Sequence, residues 1–166
     1  MKLGKKFLVM GLPGSGKTTL AKILAKELKA VWLNADEIRK KNNDWDFSDE
    51  GRNRQAKRMF KLSQEFNQQG KDVIADFICP TSKTRNEFKP DKIIWMDTIS
   101  KGRFDDTNKI FEKPKKYDFR VTVKDAINES KKIIAILKYW NDFNNPYLKT
   151  IQSIFKISNT IFKTFV

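Results

Sequence analysis

Short apolar segments recur along this chain between longer stretches that mix apolar and charged residues. Each apolar segment has the length of a β-strand, and a continuous apolar run of that length is typical of a strand buried in a parallel sheet. We predict five strands, over residues 6–10, 31–33, 73–77, 93–97 and 119–123.

Helical periodicity fills most of the intervening segments. Leucine and isoleucine residues spaced three or four apart predict an amphipathic helix over residues 17–28. A second helix should begin after Ser48, an N-cap residue followed by acids, and stop at Gly70. Apolar positions between 126 and 140 predict another helix. Strands that alternate with helices predict an α/β fold with three α/β/α layers: a five-stranded, mostly parallel sheet with helices on both faces.

The chain shows no internal repeat and no linker, so we predict a single domain over residues 1–166. Its character changes after Trp140. A polar break at residues 141–146 precedes apolar positions from Ile151 to Phe165, which predict a C-terminal helical extension over about 141–166. We interpret the extension as a helix packed on the outer helices. A homodimer contact or a helix lying on a membrane surface is the alternative.

A glycine-rich loop follows the first strand and opens the first helix, and its sequence is Gly11-Leu12-Pro13-Gly14-Ser15-Gly16-Lys17-Thr18. This Gly-x-x-x-x-Gly-Lys-Thr pattern in a strand–loop–helix context is typical of P-loop nucleotide-binding proteins. The loop amides and the helix N-terminus should bind the phosphates of ATP, with Thr19 beside them. Lys17 should neutralise charge on the transferred phosphoryl group, and the Thr18 hydroxyl should bind Mg²⁺. The chain lacks the Asn-Lys-x-Asp guanine signature, which favours a small-molecule kinase.

Composition narrows the chemistry further. The chain contains no histidine, which excludes a Ser-His-Asp triad and histidine-bearing zinc sites. A single cysteine, Cys79, favours a reducing, cytoplasmic compartment. We see no signal peptide and no apolar run long enough for a membrane span. The formal net charge of +14 indicates a polyanionic partner, or a solvated lysine-rich surface.

An acidic and basic pair follows the second strand. A carboxylate at Asp36 would lie across the cleft from the phosphates, where it could orient or deprotonate an acceptor hydroxyl. Arg39 is one helical turn further on and could hold an anionic substrate on the same face. The alternative is a helix start at which the acids complement the dipole and Arg39 is solvated.

Three further segments, together with the loop, resemble the adenylylsulfate kinase family. They are Asn34-Ala35-Asp36-Glu37-Ile38-Arg39, Phe47-Ser48-Asp49-Glu50-Gly51-Arg52 and Phe77-Ile78-Cys79-Pro80. The resemblance extends from about Phe7 to Trp140 and weakens after Asp97. It implies an enzyme of sulfate assimilation that uses MgATP to phosphorylate the 3′-hydroxyl of adenosine 5′-phosphosulfate, a small anionic acceptor.

The same resemblance implies roles for individual residues. Asp36 matches the acid near the reacting hydroxyl, and Arg39 and Arg52 match the arginines that hold the phosphosulfate group. Phe47 and Phe77 match the residues that sandwich the adenine, although phenylalanines there could equally belong to the core. Ile78 would hydrogen-bond the acceptor through its backbone.

The sequence also departs from the family pattern. The family's first acid after the second strand is Asn34 here, which removes one charge from the metal side. Asp76 stands at the end of the third strand, where the family has a small residue. Asp76 could replace the acid that is lost at Asn34 and bind Mg²⁺. The lid region between Thr98 and Phe119 is shorter than in the family, although its segment from Arg103 to Pro114 carries basic residues able to meet phosphate charge.

The sequence is therefore compatible with two functions from different classes. The first is a small-molecule kinase, adenylylsulfate kinase or a relative with a different acceptor. The second is a 5′-hydroxyl polynucleotide kinase, favoured mainly by the net charge and expected to bind nucleic acid in a salt-dependent way. A non-catalytic nucleotide-binding module is a third. The spacings of Asp36, Arg52 and residues 78–80 favour the first.

Overall fold

The structure is a computed structural model, and it describes residues 3–143. Strands and helices alternate along this part of the chain. The elements are β1 (Lys6–Gly11), α1 (Lys17–Glu27), β2 (Val31–Asn34), α2 (Ala35–Lys41), α3 (Asp49–Gln68), β3 (Val73–Asp76), α4 (Ser82–Phe88), β4 (Lys92–Met96), α5 (Asp105–Ile110), β5 (Phe119–Val121) and α6 (Ala126–Phe143).

The strands form one five-stranded sheet in the order β2-β3-β1-β4-β5. All four pairings are parallel, so the sheet is parallel throughout rather than mostly parallel. β1 is central and its residues are buried along its whole length. Since parallel strands end at the same edge, the chain segments that follow β1, β2 and β3 meet there.

Helices cover both faces of this sheet. Across the sheet, the connection from β1 to β2 runs toward the β2 edge. The connections from β2 to β3 and from β3 to β4 run toward the β5 edge. Because parallel crossovers are right-handed, α1 lies on one face and α2, α3 and α4 lie on the opposite face. α1 packs against β1, β2 and β3, whereas α3 packs against β2, β3 and α4.

One hydrophobic cluster fills the space between the sheet and the face that carries α3 and α4. Leu8 and Met10 of β1 meet Met59 of α3 and Phe88 of α4 there. Phe77 packs edge-on against Phe88, with ring centroids 5.3 Å apart. Phe77, the first residue after β3, is therefore held in the tightly packed core.

The predicted strands are confirmed, with small differences at their ends. α3 begins as predicted: the Ser48 hydroxyl accepts a hydrogen bond from the Gly51 amide at 3.1 Å. α4 and α5 were not predicted, because they have only seven and six residues and show little periodicity of their own. α2 was predicted only as an alternative, as a helix start near Asp36. α6 runs through Phe143, so the predicted break does not begin at Asn141. Asn and Asp disfavour a helix only weakly and do not end it by themselves.

Contacts divide the chain into two compact units, Met1–Lys131 and Lys132–Val166. The first contains the whole sheet and α1 to α5, and the second begins within α6. The single-domain organisation stays a prediction. The predicted terminal helix over residues 151–165 lies outside the described residues. No helix between residues 3 and 143 combines the length and the apolar character needed to cross a bilayer.

Candidate active site

The loop between β1 and α1 has the backbone shape of a phosphate cradle. Gly14 and Gly16 have φ angles of +90° and +94°, in the left-handed region that glycine tolerates best. A side chain at Gly11 would place its Cβ 2.6 Å from the Met96 carbonyl oxygen. Because Gly16 is the N-cap of α1 and has no side chain, the first amides of α1 receive no side-chain cap. Such a helix N-terminus is suited to an anion.

Lys17 lies in the first turn of α1, and its side chain is buried against the loop. Its Nζ donates a hydrogen bond to the Leu12 carbonyl oxygen at 3.0 Å. Burial lowers the pKa of the Lys17 ammonium, and the nearby carboxylates of Asp76 and Asp36 partly offset this effect. The ammonium thus lies in the cleft, near the loop and two acids.

Asp76 ends β3 and is only 2 % exposed. Burial raises the pKa of its carboxyl, whereas hydrogen bonds from the Thr18 and Asn34 side chains and the charge of Lys17 act in the opposite direction. Asn34 Nδ2 donates to Asp76 Oδ2 at 2.9 Å. The two residues predicted to bind a metal, Thr18 and Asp76, therefore lie close together in the cleft.

Asp36 lies in the first turn of α2, immediately after β2. The Asn34 side chain caps this helix by accepting hydrogen bonds from the Asp36 and Glu37 amides at 3.1 and 3.0 Å. A helix does begin here, as one interpretation expected, and the exposed Asp36 also lines a cleft together with Lys17 and Thr18. The expectation of a solvated Arg39 is wrong, because Arg39 is buried. Asp36 contributes to the electrostatic environment of Lys17.

Arg39 is buried and holds the segment that leads into α3. Its Nη1 donates to the carbonyl oxygens of Asp44 and Asp46 at 3.0 and 2.9 Å, and its Nη2 donates to that of Gly51 at 3.4 Å. The guanidinium also lies over the Phe47 ring, 4.7 Å from its centroid. Burial lowers the pKa of this guanidinium. Arg39 lines a small inner pocket of about 40 Å³ below the cleft.

Arg52 lies in the first turns of α3 and is 8 % exposed. Its Nε donates to the Phe47 carbonyl oxygen at 2.8 Å, and its Nη2 reaches the Asp106 carboxylate of α5 at 2.9 Å. Phe47 itself is half-exposed and faces the cleft. Arg52 and Phe47 therefore form one wall of the cleft, fixed through the backbone of residue 47.

The cleft has a volume of about 410 Å³ and brings most of the predicted residues together. Phe77 and Ile78, from the segment after β3, belong to its lining, although most of the Phe77 ring is buried against Phe88. The predicted site residues that line the cleft are Pro13, Gly14, Lys17, Thr18, Asp36, Phe47, Arg52, Asp76, Phe77 and Ile78. Gly11, Leu12, Ser15, Gly16 and Thr19 complete the loop and the first turn of α1 beneath them.

A family model for adenylylsulphate kinase matches residues 4–96, which contain the loop, Asp36 and Arg52. The chain belongs to the adenylylsulfate kinase family. An adenylyl-sulfate kinase from Bacillus velezensis is 33 % identical over 102 residues, which are 58 % of this chain and 48 % of the relative. A probable adenylyl-sulfate kinase from Bacillus subtilis is 39 % identical over 85 residues, which are 48 % of this chain and 43 % of the relative. The chain thus spans about half the length of the curated relatives it matches.

Solved structures of this family share the fold. An APS kinase from Mycobacterium tuberculosis, solved in complex with AMPPNP and APS, superposes with a TM-score of 0.70 at 21 % identity. The match covers 83 % of this chain and 99 % of that structure. A hexameric APS kinase from Thiobacillus denitrificans matches with a TM-score of 0.63 at 18 % identity, over 83 % of this chain and 29 % of that one. At this level of identity the likeness concerns the fold.

The family match ends at Met96, and the structure adds cleft residues from the segment beyond it. Arg103, Phe104, Asp106 and Thr107 line the cleft, and Phe104 is 55 % exposed. The basic residues between Arg103 and Pro114 were a sequence signal for this region, but the aromatic and acidic contributions were missed. Trp45 was missed as well, because it lies in an irregular segment between α2 and α3.

The segment after β4 is tied to the phosphate loop. The Thr98 hydroxyl donates to the Ser15 carbonyl oxygen at 2.7 Å. Gly102 packs so closely on Pro13 that an added Cβ would lie 3.0 Å from that ring. Although this segment is shorter than the lid of the adenylylsulfate kinase family, it covers the loop and borders the cleft.

Proposed function

We propose that this chain is an ATP-dependent kinase that phosphorylates the 3′-hydroxyl of adenosine 5′-phosphosulfate. The observation that carries the proposal is that Lys17 of the phosphate loop and Asp36 line the same cleft as Arg52 and Phe47. A donor site and an acceptor site that share one cleft can hold two substrates in line for direct transfer. We expect the reaction to occur in the cytoplasm.

On the donor side, the loop would hold the phosphates of ATP. The uncapped amides at the start of α1 provide hydrogen-bond donors and the positive end of the helix dipole. On binding, Lys17 would exchange the Leu12 carbonyl oxygen for oxygens of the β- and γ-phosphates, because a charged acceptor makes the stronger hydrogen bond. Burial lowers the pKa of Lys17 in the free protein, and a bound phosphate would act in the opposite direction by stabilising the ammonium.

Thr18 and Asp76 fit a magnesium ion, since a hydroxyl and a carboxylate in one cleft provide the oxygen ligands that Mg²⁺ prefers. No group of three or more Cys, Asp or Glu side chains that could hold a metal occurs within residues 3–143. We therefore assign Thr18 to the ion directly and Asp76 to the ion or one of its waters. A magnesium ion held there would supply positive charge that offsets the charge of the phosphates.

On the acceptor side, Asp36 would orient the reacting hydroxyl and accept its proton. Arg52 would bind the anionic end of the acceptor, and the exposed ring of Phe47 would stack against its adenine. Arg39, in the inner pocket next to Arg52 and Phe47, would also attract the anionic end of the acceptor. Its Nη1 is already bonded to carbonyl oxygens. Ile78 would contribute a backbone hydrogen bond. Because phosphoryl transfer is largely dissociative, orientation by Asp36 should matter more than proton removal.

The size of the cleft favours a small acceptor. A volume of about 410 Å³ lies within the range of sites that enclose small molecules, and α5 borders it. The polynucleotide alternative depends on the net charge of the whole surface, which does not identify a groove.

A coupled assay of ADP release tests the proposed function. Adenosine 5′-phosphosulfate should support turnover, while nucleosides and 5′-hydroxyl oligonucleotides at low salt should not. An oligonucleotide that is phosphorylated in preference to adenosine 5′-phosphosulfate would establish the polynucleotide alternative instead. If neither compound is a substrate, the divergent segment after β4 has changed the acceptor, and only the nucleotide site of the proposal stands.

A further inference from the structure

The side chain of Asn34 connects the metal side of the cleft to the acceptor side. Its Nδ2 donates to Asp76 Oδ2 at 2.9 Å. Its Oδ1 accepts from the backbone amides of Asp36 and Glu37 at 3.1 and 3.0 Å. One amide group therefore holds the buried carboxylate of Asp76, which lines the cleft together with Thr18, and also the helix turn that presents Asp36.

An amide is the side-chain group that suits both contacts. Asn34 and Asp76 are paired neighbours at the ends of the parallel strands β2 and β3, so their side chains meet at the same edge of the sheet. An ionised aspartate at position 34 could cap α2, but it has no proton to donate and would repel Asp76. A chain with an acid at the end of β3 therefore needs a donor at the end of β2. This accounts for the pairing of an amide at the end of β2 with an acid at the end of β3 in this chain.

We propose that Asn34 is a positioning residue that fixes the separation between the metal-side acid Asp76 and the acceptor-side acid Asp36. The inference rests on the proposed function for the roles of the two acids. Asn34 acts through them: its N–H group keeps the Asp76 carboxylate beside Thr18, and its carbonyl keeps the first turn of α2 in place. The two halves of the amide can be tested separately.

Two substitutions at this position separate the contacts. Asn34→Ser keeps an N-cap oxygen for α2 but is too short to reach Asp76, whereas Asn34→Ala removes both contacts. Asn34→Ser should retain most of the thermal stability of the wild type, and Asn34→Ala should melt at a lower temperature. Both should weaken binding of the Mg²⁺ complex of a non-hydrolysable ATP analogue by about tenfold, the effect typical of a lost hydrogen bond to a charged group. Binding measured without Mg²⁺ should change little.

A double-mutant cycle with Asp76→Asn decides whether Asn34 acts through Asp76. If it does, the double variant Asn34→Ser/Asp76→Asn should bind the Mg²⁺–nucleotide complex no more weakly than Asp76→Asn alone. Wild-type affinity in Asn34→Ser, or fully multiplicative losses in the double variant, would overturn the proposal for the metal side.

Turnover tests the acceptor side. With acceptor and nucleotide saturating, Asn34→Ala should have a lower kcat than Asn34→Ser, because only the former releases the turn that carries Asp36. Equal kcat values would overturn this half of the proposal. Nucleotide binding is measured without an acceptor, so a wrong assignment of adenosine 5′-phosphosulfate leaves the result of the cycle intact. If the wild-type protein does not bind the nucleotide at all, the proposed function itself is refuted.

Discussion

Arg52 of α3 and Asp106 of α5 form an ion pair across the mouth of the cleft, with Nη2 2.9 Å from Oδ2. The same Nη2 lies 3.3 Å from the hydroxyl of the buried Thr107. Asp106 is far more exposed than Arg52, since their side chains are 67 % and 8 % accessible. An arginine expected to bind the anionic end of the acceptor is thus already paired with a carboxylate from the segment that departs from the family pattern.

This pairing predicts competition between Asp106 and the acceptor. Asp106→Asn should lower the KM for adenosine 5′-phosphosulfate about 2- to 5-fold, the effect of removing a largely exposed ion pair. Asp105→Asn is the matched control, because it removes the same charge from α5. Within residues 3–143, Asp105 forms an ion pair only with the exposed Lys101. A higher KM in Asp106→Asn would show instead that Asp106 helps α5 to hold the acceptor.

Arg52→Ala should chiefly impair acceptor binding. Loss of one charge-assisted contact should raise the KM for the acceptor by ~10–100-fold and leave the KM for ATP nearly unchanged. Lys57→Ala removes a positive charge from an exposed position of the same helix and should have little effect. If the KM for ATP rises as much as that for the acceptor, Arg52 supports the whole cleft and does not bind the acceptor specifically.

Lys17→Ala should lower the rate of phosphoryl transfer by ~10²–10³-fold or more, since Lys17 neutralises charge on the transferred group. The variant should fold normally, because the ammonium is buried with a single hydrogen bond to a carbonyl oxygen in the free protein. Circular dichroism checks the fold, and Lys26→Ala, at an exposed position of α1, serves as the control. Activity within tenfold of the wild type in a folded Lys17→Ala variant would refute the phosphate-loop assignment.

Cys79 provides a test of the fold itself. It is 1 % exposed, and burial raises the pKa of its thiol to about 12 from an ordinary value of 9.0. Because the pKa of the thiol is higher in the folded state, the thiol's contribution to the free energy of unfolding is fully present below pH 9.0. This contribution is lost as the pH rises through about 12. Between pH 7 and 9 the folded protein should therefore resist iodoacetamide, while protein in guanidinium reacts readily. Equal rates in both states would contradict the buried position of the segment after β3.

Local chemistry explains why much of the fold was predictable. The glycine loop, the apolar strands and the Ser48 cap each depend on residues that are close in sequence, and all are found as predicted. α5 could not be predicted in this way. Its six residues are mostly polar, and its contact with Arg52 joins positions that are 54 residues apart.

The candidate site was predictable to a similar degree. The motifs and the family resemblance predicted Asp36, Phe47 and Arg52 as site residues. The three residues line one cleft, and their roles stay predictions. The motifs could not reveal that Arg39 is bonded to three backbone carbonyls, because those bonds depend on how residues 44–51 fold back on α2. Nor could they reveal the bond between Asn34 and Asp76, which requires β2 and β3 to be neighbours in the sheet.

Phosphoryl transfer to adenosine 5′-phosphosulfate and to its 3′-deoxy analogue is the most direct test of the central claim. We predict that the wild type releases ADP with the first compound and not with the second. Asp36→Asn, which keeps the shape but loses the charge, should lower kcat with the first compound far more than it lowers ATP affinity. Equal ADP release with both compounds, or an unchanged kcat in Asp36→Asn, would contradict transfer to the 3′-hydroxyl at the site formed by Lys17 and Asp36.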